Sequence, residues 1–296
     1  MSDKDKEILL EKVREFEDRK PDTSGNTAVI LNEKRDLSGV MNEAAAKRRM
    51  ATRSRRGFLV GGAAALVGIF GWRWMGDETK ANLLRSTFEF NEKLSQIFYR
   101  PTRLSPEFPR DQITAARMNG FEGLEGEVDP TAWRLAVGGL AGRADDLMLT
   151  LDDIKRLPRT EMTTQLKCIE GWSTIVSWAG VRFSDFAAAY LPQTINGSQP
   201  DILGRPDQLV PYVYITTPDE KYYVGWDMPS ILHPQTLLAY EMNGAPLTLE
   251  HGAPLRIASP TKYGIKQIKR IGRIEFTAER PKDFWAEYGY DWYSGH

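Results

Sequence analysis

Apolar residues along this chain fall mostly into short alternating runs. Trp133-Arg-Leu-Ala-Val-Gly, Leu147-Met-Leu-Thr-Leu, Leu166-Lys-Cys-Ile-Glu, Tyr212-Val-Tyr-Ile-Thr, Leu255-Arg-Ile-Ala and Ile271-Gly-Arg-Ile-Glu-Phe read as strands. Helical spacing is found from Asp77 to Gln96, with Leu83, Leu84, Phe88 and Leu94 on one side, and again at Phe183 to Tyr190 and Pro234 to Met242. A short helix fits Asp152 to Leu157, started by Thr150 or Asp152. Pro101, Pro106 and Pro109 make Tyr99 to Arg110 an extended connection. Many short strands with few short helices predict an α+β domain of mixed sheets, from about Asp111 to the end.

The amino-terminal quarter follows other rules. Residues 1–75 carry 15 basic and 11 acidic side chains, and the remainder 24 and 29. At the boundary, Lys47, Arg48, Arg49, Arg53, Arg55 and Arg56 meet an uncharged run of 16 residues, Gly57 to Trp72. As a helix that run is about 24 Å long against a hydrocarbon core of about 30 Å, a marginal span. Ser54-Arg-Arg-Gly-Phe-Leu followed by a Gly/Ala-rich apolar stretch resembles the twin-arginine export signal. No Ala-x-Ala step follows it, so an uncleaved signal serving as an inner-membrane anchor is expected, with everything after Trp74 periplasmic or otherwise extracytoplasmic. Ile8, Leu9, Val13 and Phe16 lie at helical spacing among charges, as in a solvated helix; a membrane-surface or partner helix is the other reading. The expected division is a partly disordered charged tail (1–50), a signal or membrane anchor (51–76), a helix and linker (77–110) and the main domain (111–296).

Composition excludes several classes. The chain has 296 residues, 39 Lys+Arg against 40 Asp+Glu, and a formal net charge of -1, which gives no pull toward nucleic acid. One cysteine and three histidines exclude a disulfide scaffold and a multi-cysteine zinc site.

The lone Cys168 ends a strand-like segment and precedes Ile169-Glu-Gly-Trp-Ser173. A single cysteine is commonly a small buried apolar residue. A strand-to-loop junction is also where a sheet presents a reactive atom, and a thiolate there can ligate a transition metal if a cofactor supplies the other ligands. Farther on, His251-Gly-Ala-Pro-Leu-Arg256 precedes Lys262, Lys266, Lys269 and Arg270. Such a run is either an exposed charged face or, with Gly252 and Gly264 allowing close backbone approach and Pro254 and Pro260 stiffening the loop, a seat for a phosphate-bearing cofactor.

Cys-Ile-Glu-Gly-Trp-Ser at 168–173, His-Gly-Ala-Pro-Leu-Arg at 251–256 and Lys-Tyr-Gly-Ile-Lys-Gln-Ile-Lys at 262–269 resemble the sulfite oxidase family of molybdopterin enzymes. Within it the likeness is to the bacterial branch that includes periplasmic methionine sulfoxide reductases. The resemblance implies the sulfite-oxidase-type fold of mixed sheets and short helices, one Mo-molybdopterin per chain, and Cys168 as thiolate ligand of molybdenum. It places His251, Arg256 and Thr217 at pterin contacts, Gln267, Ile268 and Lys269 on a phosphate-contacting segment, Arg117 and Asn119 on an upstream pterin loop, and Tyr290 beside the metal. It further implies oxygen-atom transfer to or from a small molecule, with electrons exchanged through a separate protein such as a membrane haem protein or a c-type cytochrome. The sulfite oxidases carry arginines just beyond the metal-binding cysteine, where this chain has Gly171-Trp-Ser. Trp172 and Trp178 are either core residues or the mouth of the site, and a mouth of that kind favours sulfoxide reduction or a related oxo transfer over sulfite oxidation. The haem and dimer domains of animal sulfite oxidases have no match, which implies a monomeric catalytic domain. A membrane-tethered binding module that kept the fold without the chemistry is the other reading.

Overall fold

The computed structural model describes residues 74–295 apart from 119, 121, 126, 127 and 130. The expected tail, the signal and its apolar run 57–72, and Asn119 lie outside the described residues. Among those described, no helix is long and apolar enough to cross a membrane.

In chain order come helix α1 (Asp77–Phe98), strands β1 (Leu135–Gly138) and β2 (Leu147–Leu149), helix α2 (Leu151–Lys155), strands β3 (Arg159–Lys167) and β4 (Ser173–Arg182), and helix α3 (Phe183–Tyr190). Then follow β5 (Tyr212–Thr216), β6 (Tyr223–Asp227), α4 (Met228–Ile231), β7 (Leu237–Met242), β8 (Ala245–Pro246), β9 (Arg256–Ala258), β10 (Arg273–Thr277) and α5 (Phe284–Glu287). One sheet has the order β2-β1-β10-β5-β6, with β1 and β10 parallel and the other pairs antiparallel. The other runs β3-β4-β7-β8, with β9 also on β7. Mixed sheets with few short helices are what the alternation predicts.

Most of the core is one cluster fed by both sheets and α3, including Leu135, Val137, Val213, Ile215, Ile274 and Phe276 with Phe183 and Phe186. Each such side chain stabilises the fold by about 1.5–3 kcal/mol. A smaller cluster, Met162, Leu166, Val176, Trp178, Leu237 and Ala239 among others, lies on the second sheet. Strand β7 serves both, sending Leu238 and Tyr240 to the first cluster and Leu237 and Ala239 to the second. Burial on both faces removes the polar alternation of a strand, which is why Pro234 to Met242 reads as a helix in the sequence; it is a turn followed by β7. Helix α2 begins as expected, with Thr150 and Asp153 forming a reciprocal capping box.

Helix α1 forms where its spacing places it, but its apolar side does not make the main contact. Leu83, Leu84, Phe90 and Ile97 stay exposed, and Glu92 is the buried side chain, ion-paired at 2.7 Å to Arg280. The connection after α1 is fastened to the domain. Tyr99 donates its hydroxyl to the carbonyl of Pro229 (2.8 Å), and Phe108 N–H donates to Thr163 O at the edge of β3 (2.9 Å).

Candidate functional site

Strands β3 and β4 form a hairpin whose last pair is Lys167 with Ser173, leaving residues 168–172 as the loop. Cys168 is the first loop residue. Its N–H donates to Trp172 O (2.9 Å) and its carbonyl accepts from Gly171 N–H (3.1 Å). Gly171 supplies the positive φ (+87°) that closes the turn at little cost. Cys168 is 4 % exposed, yet it is not sealed in the core. It lines a cavity of about 200 Å³ on one side and an open cleft of about 570 Å³ on the other. Tyr222, Gly264, Gln267, Lys269, Trp285 and Tyr290 share the cavity, whereas Gln165, Lys167, Trp172, Tyr263 and Tyr290 share the cleft.

The loop at 251–256 reaches this site through Lys269, which lines both the cavity and a narrow gap shared with Arg117, Trp178, His251 and Arg256. Gly252 makes that approach possible. Its φ is +100°, and a Cβ there would lie 2.7 Å from Lys269 Cβ. Arg256, fully buried over the Trp178 ring (4.6 Å), ties two loops together by donating to His251 O (2.9 Å) and Gln267 O (3.2 Å). It makes no ion pair among the described residues. Burial pulls its pKa down to about 10, so it stays charged at neutral pH. Its charge is felt nearby. Burial first and then Arg256 bring Lys269 down to about 8, and the same two causes, followed by Lys269, hold His251 below the ordinary histidine value. His251 therefore faces the gap as a neutral imidazole, while Arg256 and Lys269 carry the positive potential.

Two lysines of the run have other work, which corrects the reading of 256–270 as a single anion seat. Lys262 Nζ donates to Asp227 Oδ1 (3.1 Å) and Lys266 Nζ to Asp283 Oδ2 (2.5 Å), all buried. The two aspartates also cap α4 and α5. Arg270 is spent on the carbonyls of Leu124 and Glu125.

The remaining expected residues divide. Tyr290 lines both cavity and cleft, with its ring edge-on to Trp285 (5.3 Å). Arg117 stacks its guanidinium over Trp172 (4.7 Å). Gln267 braces the loop by donating to Ser259 O (2.8 Å) and Lys262 O (3.0 Å). Ile268 is a core residue, so only its backbone faces neighbouring chain, accepting from Ile257 N–H (3.0 Å). Thr217 turns its hydroxyl onto Asp219 (2.6 Å) within its own turn; Tyr222, across that turn, is the side chain on the cavity wall. Trp178 is buried at 2 %, so the aromatic mouth belongs to Trp172 alone of the two. Tyr222 is not legible as a cavity residue in the sequence because it reaches the site through a contact distant in sequence, donating to Ile265 O (2.6 Å).

This donor set fits a molybdenum-bearing pterin. A single thiol opens onto a cavity, and beside it stand a buried arginine and a lysine whose charge is disfavoured by burial and by that arginine, a pair that a phosphate tail would stabilise.

The oxidoreductase molybdopterin binding domain family matches residues 122–285. A putative protein-methionine-sulfoxide reductase subunit of Azospira oryzae is 32% identical over 250 residues, 82% of this chain and 88% of that protein. The protein-methionine-sulfoxide reductase catalytic subunit of Xanthomonas axonopodis pv. citri is 30% identical over 64% of this chain and 62% of its own length. That of Campylobacter jejuni is 34% identical over 53% of this chain and 52% of its own. Among solved structures, the sulfane dehydrogenase SoxCD from Paracoccus pantotrophus overlaps 52% of this chain and 40% of its own, with TM-score 0.43 and 21% identity.

Proposed function

Because the chain belongs to the oxidoreductase molybdopterin binding domain family, we propose that it reduces sulfoxides to thioethers outside the cytoplasm, as the catalytic subunit of a two-component system. It is a molybdenum-dependent oxidoreductase whose cofactor is Mo-molybdopterin. The relatives above are named as subunits of protein-methionine-sulfoxide reductases, and sulfoxide reduction is the reaction that this cleft serves best.

The observation that carries the proposal is the cleft at Cys168. It is lined by Trp172, Tyr263 and Tyr290, with Lys167 as the one cation and no carboxylate among the described lining residues. Such a wall suits a neutral, partly apolar sulfoxide better than a doubly charged oxyanion. When bound, the cofactor supplies two-electron oxygen-atom chemistry. Cys168 would hold the metal from the hairpin, while Arg256 and Lys269 would hold the anionic end of the pterin. Tyr290, which lines both spaces, would donate a proton toward the departing oxygen, and Trp172 would exclude water from one side of the substrate. The balance is sulfoxide plus two electrons and two protons giving thioether and water. The electrons would come singly from a separate carrier, either a membrane haem protein or a c-type cytochrome. Ser54 to Leu59 and the run 57–72 support twin-arginine export and retention at the membrane.

The test is the full chain produced through its own export route and assayed with a reduced dye on free and peptide-bound sulfoxides and N-oxides, and with an acceptor on sulfite. Sulfoxide reduction by the periplasmic fraction is expected. Sulfite oxidation outpacing every sulfoxide would overturn the reading.

A further inference from the structure

A second cavity, about 760 Å³, adjoins the reaction cleft and is larger than either space at Cys168. It lies between the carboxyl end of α1, the connection at 100–106 and the turn end of β3 at Lys167, with Thr261, Tyr293 and Gly295 also on its wall. Arg100, Arg103 and Lys167 line it, with no Asp or Glu side chain among the described lining residues. None of these three makes an ion pair among the described residues, although Arg159, Lys262, Lys266, Arg273 and Arg280 all do. Three such cations lining one cavity of a chain with net charge -1 form a focused positive field. The lining also has an apolar part, with Leu94, Phe98 and Leu104. Lys167 belongs to this cavity and to the cleft, so one ligand can occupy both.

We propose that this cavity is an exosite for an acidic, partly apolar polypeptide segment, and that the enzyme selects protein-borne sulfoxides with carboxylates a few residues away in the chain. The proposal rests on the sulfoxide reading of the cleft. A single sulfoxide side chain needs only the cleft and leaves the larger cavity vacant, whereas an extended chain, advancing about 3.3 Å per residue, reaches from one to the other. Its carboxylates meet Arg100 and Arg103, and its apolar side chains meet Phe98 and Leu104.

The experiment measures fluorescence anisotropy of labelled nonapeptides on the full chain. Each peptide carries one methionine sulfoxide, flanked by Asp/Glu and Leu or by Lys and Leu. The acidic peptide should bind more tightly and weaken as salt rises. The double variant R100E/R103E should bind it about tenfold more weakly, through two lost ion pairs and two like-charge contacts, and should gain affinity for the lysine peptide. That gain cannot come from misfolding. Equal affinity for both peptides, or no change in the double variant, would overturn the proposal. So would displacement of the acidic peptide by phosphatidylglycerol vesicles that bind through the same arginines, because the cations would then serve a lipid surface. Failure of the wild-type holoenzyme to reduce even a small sulfoxide would instead overturn the reading of the cleft, and with it the sulfoxide part of this inference.

Discussion

Asp283→Asn removes the partner of a lysine that has no route to water. Lys266 and Asp283 have side chains 1% and 2% exposed and meet at 2.5 Å. Lys266 Nζ otherwise donates to Gly225 O (2.6 Å) and lies 4.5 Å from the Trp292 ring centre. An asparagine retains an acceptor for Ala286 N–H at the start of α5, so the cap survives and the charge imbalance dominates. Breaking one side of a buried ion pair costs about 3–5 kcal/mol. At about 2–4 °C per kcal/mol for a domain of this size, the melting midpoint should fall by about 6–20 °C. Differential scanning calorimetry measures the drop, and urea unfolding gives the free energy independently. Adding Lys266→Met should recover most of the loss, since the stranded charge leaves with it. Lys266 is also in the turn whose Gly264 and Gln267 line the Cys168 cavity, so the single variant should hold less molybdenum. A midpoint within about 2 °C of wild type would refute the reasoning, because the pair would then be reached by solvent.

Three further outcomes follow from the site. Lys269, brought to about 8 by burial and by Arg256, is charged below that pH and neutral above it. Apoprotein affinity for sulfate, whose own charge is constant there, should therefore fall as pH rises through about 8, and Lys269→Gln should flatten the titration curve. Gly252→Ala places a Cβ 2.7 Å from Lys269 Cβ at φ +100°. It should cost about 1–3 kcal/mol and lower molybdenum content, and an unchanged melt with full loading would contradict the loop account. Trp172→Ala should raise KM for an aryl sulfoxide about tenfold with a smaller change in kcat, as expected when binding contact is lost; an unchanged KM would remove Trp172 from the substrate wall.

The legible parts of the fold were those with one face in and one face out. Tyr212 to Thr216 alternates and forms β5 at the expected residues. Strand β4 has no alternation to mark it in the sequence, although it has ten residues, because it is buried on nearly every side and includes small residues at Ser177, Ala179 and Gly180. Strand β7 resembled a helix for the related reason that both its faces are apolar. At the site, Cys168 was legible because a strand end and a glycine turn bracket it. The fates of Lys262 and Lys266 were not, since Asp227 and Asp283 lie 35 and 17 residues away and only tertiary pairing turns two cations from ligand seats into struts. Trp178 and Trp172 look alike in sequence, and the β4 pleat buries the first while the hairpin loop leaves the second at the cleft.

The account's central claim is that Cys168 Sγ binds molybdenum. X-ray absorption at the molybdenum edge, on full-length holoenzyme and on Cys168→Ser loaded in the same way, tests it most directly. One sulfur fewer around the metal in the variant is the predicted result. The same sulfur shell in both proteins would contradict it.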